Sequence, residues 1–181
     1  RSDGLPRVRS LWYILDPMIE VGSPLPDATL TESLEFGDAC PKPPARFSVA
    51  EAVKGKRVVI FGLPGAFTPT CSSKHLPGYL AQFDALRAKG VDEVWCVSVN
   101  DGAVMAAWGR EQRALGKIRM LGDGSAEFTR KLGLEVEIPG MGIRMRRCSM
   151  LVEDGVVKRL NLEQPKMFEA STAETMLAQL G

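Results

Sequence analysis

FGLPGAFTPTCSSKHLPGYL, residues 61–80, joins two kinds of periodicity. Just before and into it, the apolar run Val58, Val59, Ile60, Phe61 reads as a buried strand. Within and after it, Leu76, Leu80, Phe83 and Leu86 recur at helical spacing. Cys71 therefore stands where a strand hands over to a helix. The first turn of a helix has unpaired N–H groups and the positive end of the backbone dipole, and both favour an anion. Cysteine has a pKa of about 8.5 when unperturbed, and such surroundings bring it to roughly 3.5–7.5, so a thiol placed there is expected to be nucleophilic. Pro64, Gly65 and Pro69 fix an irregular loop, while Thr68 and Thr70 add hydroxyls. The site thus reads as polar and preset, not as an apolar corner plugged by a small side chain.

The run Pro64-Gly65-Ala66-Phe67-Thr68-Pro69-Thr70-Cys71 resembles the P-x-x-x-T-x-x-C motif of peroxiredoxins. With its continuation through His75-Leu76-Pro77-Gly78-Tyr79, it is most similar to the type II branch of that family. The resemblance implies that Cys71 is the peroxidatic cysteine and that Pro64 and Thr68 are its motif partners. It also implies a thioredoxin-like fold. A dithiol oxidoreductase would need a second cysteine where Lys74 stands, and a cysteine phosphatase would need an arginine in the SSKHLPGYL run after Cys71, which has none.

With 181 residues the chain can bury one good core and is short for two domains, so we expect a domain over 18–181 and an N-terminal extension over 1–17. Arg1, Arg7 and Arg9 give that extension a presequence flavour that Asp3 and Asp16 oppose; a leader or tag would read the same way. A net charge of +1 with no long block of either sign argues against a broad nucleic-acid footprint. No stretch has the roughly 20 apolar residues of a membrane span. Cysteines at 40, 71, 96 and 148 are too scattered for a secreted disulfide framework, and with His75 the only histidine they make no zinc motif. An intracellular, reducing setting is expected, cytoplasmic first, with a mitochondrion or plastid as alternatives if the extension is a presequence remnant.

Along the chain, Ser48 with Glu51 reads as the cap of a short helix, and a helix after Cys71 is expected to run to about Ala88. Residues 91–99 read as a strand, Asn100-Asp101 as the start of a helix to about Leu115, 118–121 as a strand and 126–132 as a helix. Arg144 to Val152 reads as one strand joined by Asp154-Gly155 to 156–160, before a last helix over 171–180. This is an α/β order, a central mixed sheet with helices on both faces. Naming it thioredoxin-like rests on the resemblance.

A thiolate that attacks peroxide needs a fixed cation to hold the departing oxygen, and arginine suits that role. Of Arg144, Arg146 and Arg147, the family resemblance selects Arg147 for this role. On an alternating strand Met145 would share its face, Cys148 would turn away as a structural residue, and Arg144 and Arg146 would be solvated. Arg110, in a WGR segment that also resembles the family, is a further candidate, while Cys40 reads as a free loop thiol.

The implied activity is reduction of hydrogen peroxide and organic hydroperoxides through a sulfenic acid at Cys71, with no cofactor. Glutathione, glutaredoxin or thioredoxin is the expected reductant. Cys96 is the candidate resolving cysteine, against a one-cysteine cycle. A homodimer is expected by analogy. A redox sensor or holdase using the same thiol without efficient turnover is the alternative.

Overall fold

The computed structural model describes residues 17–181, so all of the expected N-terminal extension except Pro17 lies outside it. An interior strand of its sheet is β3 (Arg57–Gly62), whose residues from Val58 onward are buried, as a strand covered on both faces requires. It runs parallel to β4 (Glu93–Ser98), which in turn runs parallel to β5 (Ile118–Gly122). Parallel neighbours need crossovers. The first is a π-helical turn (Cys71–His75) continuing into α2 (Leu76–Ala81) and α3 (Phe83–Ala88). The second is α4 (Gly102–Glu111), capped by Asp101, whose Oδ1 accepts from the Val104 amide.

Antiparallel strands complete the sheet. On one side β8 (Cys148–Glu153) pairs with β3, and β9 (Val156–Leu162) returns from it through Asp154-Gly155. Both turn residues have positive φ, 45° and 78°, as a two-residue hairpin of matching twist demands. On the other side β1 (Thr29–Glu32) borders β5 and carries β2 (Ala45–Ser48) at the edge. The order is β2-β1-β5-β4-β3-β8-β9, the mixed sheet that the order of elements predicts.

Alternation along β3 divides the core in two. Val58 and Ile60 face Trp95, Val97 and Met150, a layer covered by α1 (Val49–Val53) and α5 (Glu127–Lys131). Val59 and Phe61 face Val94 and Cys96 under α2, α3, α4 and α6 (Ala173–Gln179), and Cys71 belongs to this second layer. Among the described residues no helix is long and apolar enough to cross a membrane.

Three departures from expectation exceed the one- or two-residue shifts seen at other element ends. The helix after Cys71 breaks at Gln82 into α2 and α3, and α4 stops at Glu111, short of Leu115. The expected strand Arg144–Val152 is two strands in two sheets: among the described residues β7 (Gly142–Met145) pairs only with β6 (Glu135–Ile138), and the chain bends at Arg146-Arg147 before β8. The bend resets the alternation. Met145 consequently packs with Cys148 on the far side of the sheet from Cys71, instead of sharing a face with Arg147.

Candidate active site

From Gly62 the chain leaves the sheet through residues 63–68 and enters a helix at Pro69, where proline's missing N–H costs no hydrogen bond. Cys71 follows in the first turn. Residues 71–75 are wound as a π-helical turn, a form often found at functional sites. Cys71 and His75 are both fully buried.

The loop is held from two sides. Asn100 Oδ1 accepts from the Ala66 amide at 3.0 Å and from Ser98 Oγ at 2.7 Å. Arg144 reaches over from β7, donating to the carbonyls of Pro64 and Val99 at 3.4 and 3.3 Å and, through Nε, to that of Met141 at 3.0 Å. The sequence suggests a solvated cation at Arg144; instead it is half-buried, because from β7 it reaches the carbonyls of Pro64, Val99 and Met141, which take the place of water. A Cβ on Gly65 would stand 3.1 Å from Arg144 Nη1, so glycine there lets this clamp close.

Arg147 comes from the bend between β7 and β8. Its Nη2 donates to Cys71 Sγ at 3.2 Å and its Nη1 to His75 Nδ1 at 3.0 Å. A planar guanidinium serves two acceptors at once in a way a lysine cannot. The face of Phe168 lies 5.7 Å from the guanidinium carbon. Thr68 Oγ1 donates to the Gly65 carbonyl at 2.7 Å, so its lone pairs are what it offers a ligand. Pro64 and Thr70 join Arg147 in lining a groove of about 550 Å³ beside the buried sulfur.

The residue that sequence reasoning missed is His75. Its Nε2 lies 3.1 Å from the Ser171 carbonyl, which can only accept, so Nε2 carries the hydrogen and Nδ1 is left to accept from Arg147. Burial first, and the Arg147 charge second, lower its pKa to about 3, which keeps the ring neutral and in that tautomer. The Ser171 carbonyl also accepts from Tyr79 Oη at 3.0 Å. Glu163 Oε1 secures this loop through the amides of Glu169 and Ser171 at 2.7 and 2.8 Å and the Ser171 hydroxyl at 3.0 Å. A continuous line of contacts therefore runs from Glu163 through Ser171 and His75 to Arg147 and the sulfur. The available signal was spacing: His75 stands four residues after Cys71, on the same side of the helix.

This buried ring has a consequence for stability. Unfolded, it would titrate near 6.5; folded, near 3. Between those values the unfolded chain binds the extra proton, so stability falls as pH is lowered through this window. At about 1.4 kcal/mol per pKa unit, His75 alone is expected to remove about 3 kcal/mol between pH 7 and pH 4. Denaturant unfolding of the wild type and His75→Gln at both pH values measures this. An equally steep loss in the variant would show that the ring is not the source.

The other candidates lie elsewhere. Cys96 is fully buried in mid-β4 opposite Phe61, in the same layer as Cys71. Burial first, and the nearby Cys71 sulfur second, push its thiol well above the ordinary range. Cys148 packs behind Gly62, on the other layer, with its thiol pushed up to about 12 mainly by burial. Cys40 is exposed. Arg110 lies over the Phe36 ring at 4.5 Å, in an ordinary cation–π contact. Trp108, buried, donates to Ser72 Oγ at 3.1 Å and so touches the helix that carries Cys71.

The Redoxin family profile matches residues 20–177. Over 168 residues the chain is 48% identical to chloroplastic peroxiredoxin-2E-2 of Oryza sativa subsp. japonica, spanning 90% of this chain and 72% of that protein. Over 167 residues it is 42% identical to peroxiredoxin-2B of Arabidopsis thaliana, spanning 90% and 98%. Among solved structures, reduced Prx3 from Vibrio vulnificus in complex with H2O2 matches with a TM-score of 0.84 at 49% identity, over 91% of this chain and 100% of that one. Peroxiredoxin 5 from Alvinella pompejana matches with a TM-score of 0.76 at 32% identity, over 90% and 97%. The shared architecture is thioredoxin-like, as the resemblance carried by the motif led us to expect.

Proposed function

The chain belongs to the peroxiredoxins, on their type II branch, and is a thiol-dependent peroxidase; from that premise we propose that Cys71 is the sulfur it oxidises and Arg147 the cation that serves it. The observation that carries this assignment is the 3.2 Å contact between Arg147 Nη2 and Cys71 Sγ, made by a guanidinium whose other arm is fixed on a neutral imidazole.

The Cys71 thiolate attacks the terminal oxygen of a hydroperoxide, RO–OH. The sulfur's lone pair forms the S–O bond as the O–O bond breaks, and the O–O bonding pair leaves with RO⁻, which takes a proton from water to become an alcohol, or water when R is hydrogen. Sulfur is oxidised to a sulfenic acid and the peroxide is reduced. Arg147 is placed to draw charge from the attacked and departing oxygens, and Thr68 to accept from the peroxide's O–H. Pro64 shields the sulfur.

For regeneration, the site favours an external thiol. The Cys96 thiol is held neutral and fully buried within a central strand, where forming a bridge would demand Cα atoms about 4.4–6.8 Å apart with suitably aimed sulfurs. In the one-cysteine cycle, a thiol such as glutathione, or a glutaredoxin or thioredoxin cysteine, displaces water from the sulfenic acid; a second thiol then releases Cys71 from the mixed disulfide. A reducing compartment suits the four free cysteines. Phe67, exposed at the tip of the active-site loop, fits a homodimer formed through that face.

The test is the mass spectrum of reduced protein treated with one equivalent of hydrogen peroxide without reductant. We expect a gain of one oxygen, trapped at Cys71 by a sulfenic-acid reagent. Loss of two hydrogens with a Cys71–Cys96 cross-linked peptide would instead make Cys96 the resolving residue. Labelling at another cysteine would refute the assignment of Cys71. Sustained peroxide consumption with glutathione and glutaredoxin separates an enzyme from a sensor that oxidises once.

A further inference from the structure

The groove beside the Cys71–Arg147 pair is larger than hydrogen peroxide needs, and its lining has two characters. Part is apolar: Val136 and Ile138, which share one face of β6 by alternation, and Met167 and Phe168 from the loop after β9. Around them stand Lys74, Arg146 and Lys166. Among the described residues none of these three cations has a carboxylate within ion-pair distance. Two carboxylates line the groove, but Glu163 is buried and its Oε1 is held by the 169–171 loop, which leaves only Glu169 exposed. Positive charge therefore predominates next to an apolar surface.

Resting on the reading of Cys71 as the peroxidatic sulfur, we propose that this groove selects hydroperoxides that carry an alkyl chain and an anionic head group, the hydroperoxides of long-chain carboxylic acids. The chain lies on Val136, Ile138, Met167 and Phe168, the carboxylate meets Lys74, Arg146 and Lys166, and the O–OH group faces Arg147. A peptide thiol with free carboxylates satisfies the charge but has no alkyl chain for the apolar wall. Each partly exposed ion pair contributes a few-fold at most, and salt weakens it, so the combined preference is about tenfold and declines with ionic strength.

The experiment measures stopped-flow rate constants for oxidation of the reduced full chain by a hydroperoxide of octadecadienoic acid, by its methyl ester and by hydrogen peroxide. The readout is the acid-to-ester ratio, which cancels general effects on the sulfur. We expect about ten in the wild type at low salt, and near one with Lys74→Gln, Arg146→Gln and Lys166→Gln combined. If that triple variant does not fold, Lys166→Gln alone, at an exposed turn, is expected to lower the ratio a few-fold. Equal rates for acid and ester in the wild type, or a ratio that survives charge removal, overturn the proposal. So does a variant slowed only in sulfenic acid reduction by glutathione, which would assign the groove to the reductant. Failure of hydrogen peroxide to oxidise Cys71 would sink the underlying reading of the sulfur, separately from the groove.

Discussion

Serine in place of Cys71 is expected to abolish peroxide consumption, to the level of buffer. The change is small in volume, so the second core layer around Phe61, Leu76 and Tyr79 is expected to keep its packing. What disappears is the nucleophile. A hydroxyl is not ionised near neutral pH, and activating it would require a base within hydrogen-bond reach. The nearby imidazole cannot serve: His75 Nδ1 already accepts from Arg147, and its Nε2 proton is directed to the Ser171 carbonyl. Coupled peroxidase assays, with circular dichroism to verify the fold, measure this. Consumption retained above a tenth of wild type would mean that another thiol reacts, and exposed Cys40 would be the first to examine.

Arg147→Gln should retain the sulfur but slow its oxidation by about 10²–10³-fold, the usual cost of losing one well-placed donor to a developing oxyanion. Glutamine is shorter and uncharged, so it cannot reproduce both the 3.2 Å contact to Cys71 and the 3.0 Å contact to His75. Arg147→Lys keeps the charge but loses the fork, and should fall between wild type and Arg147→Gln. Stopped-flow fluorescence is a suitable monitor because Trp108 donates to Ser72, the residue after the sulfur. Arg159→Gln, at an exposed position on β9, controls for a general loss of positive charge. Oxidation of Arg147→Gln within threefold of wild type would show that the guanidinium is a structural tie and not part of the reaction.

The groove and the line from Glu163 to the sulfur bear differently on these experiments. On the proposed assignment, Glu163, Ser171 and His75 would act on the reacting atoms only through Arg147, so their removal should loosen the arginine without altering the chemistry available to it. Lys74, Arg146 and Lys166 would act on the substrate's far end. Rates with hydrogen peroxide and with anionic alkyl hydroperoxides are therefore expected to separate the two groups of residues.

The sequence determined what local rules can carry. Apolar β-branched runs placed β3 and β4, Ser48 and Asp101 announced their helices through hydroxyl and carboxylate caps, and Asp154-Gly155 specified a hairpin through the positive φ it tolerates. The strand-to-helix position of Cys71 was legible for the same reason: it depends on neighbours in the chain. What only the tertiary structure decided depends on groups far apart in sequence. Period-two alternation holds for a straight strand, and the bend at Arg146-Arg147 moved Met145 to the other core layer while sending Arg147 to the sulfur and Arg144 to the carbonyls of Pro64 and Val99. His75 accepts from Arg147 only because the Ser171 carbonyl fixes its tautomer from the far end of the chain, and burial removes its charge. Hydrogen-bond direction and desolvation are set by the packed surroundings, and a linear pattern of side chains does not contain them.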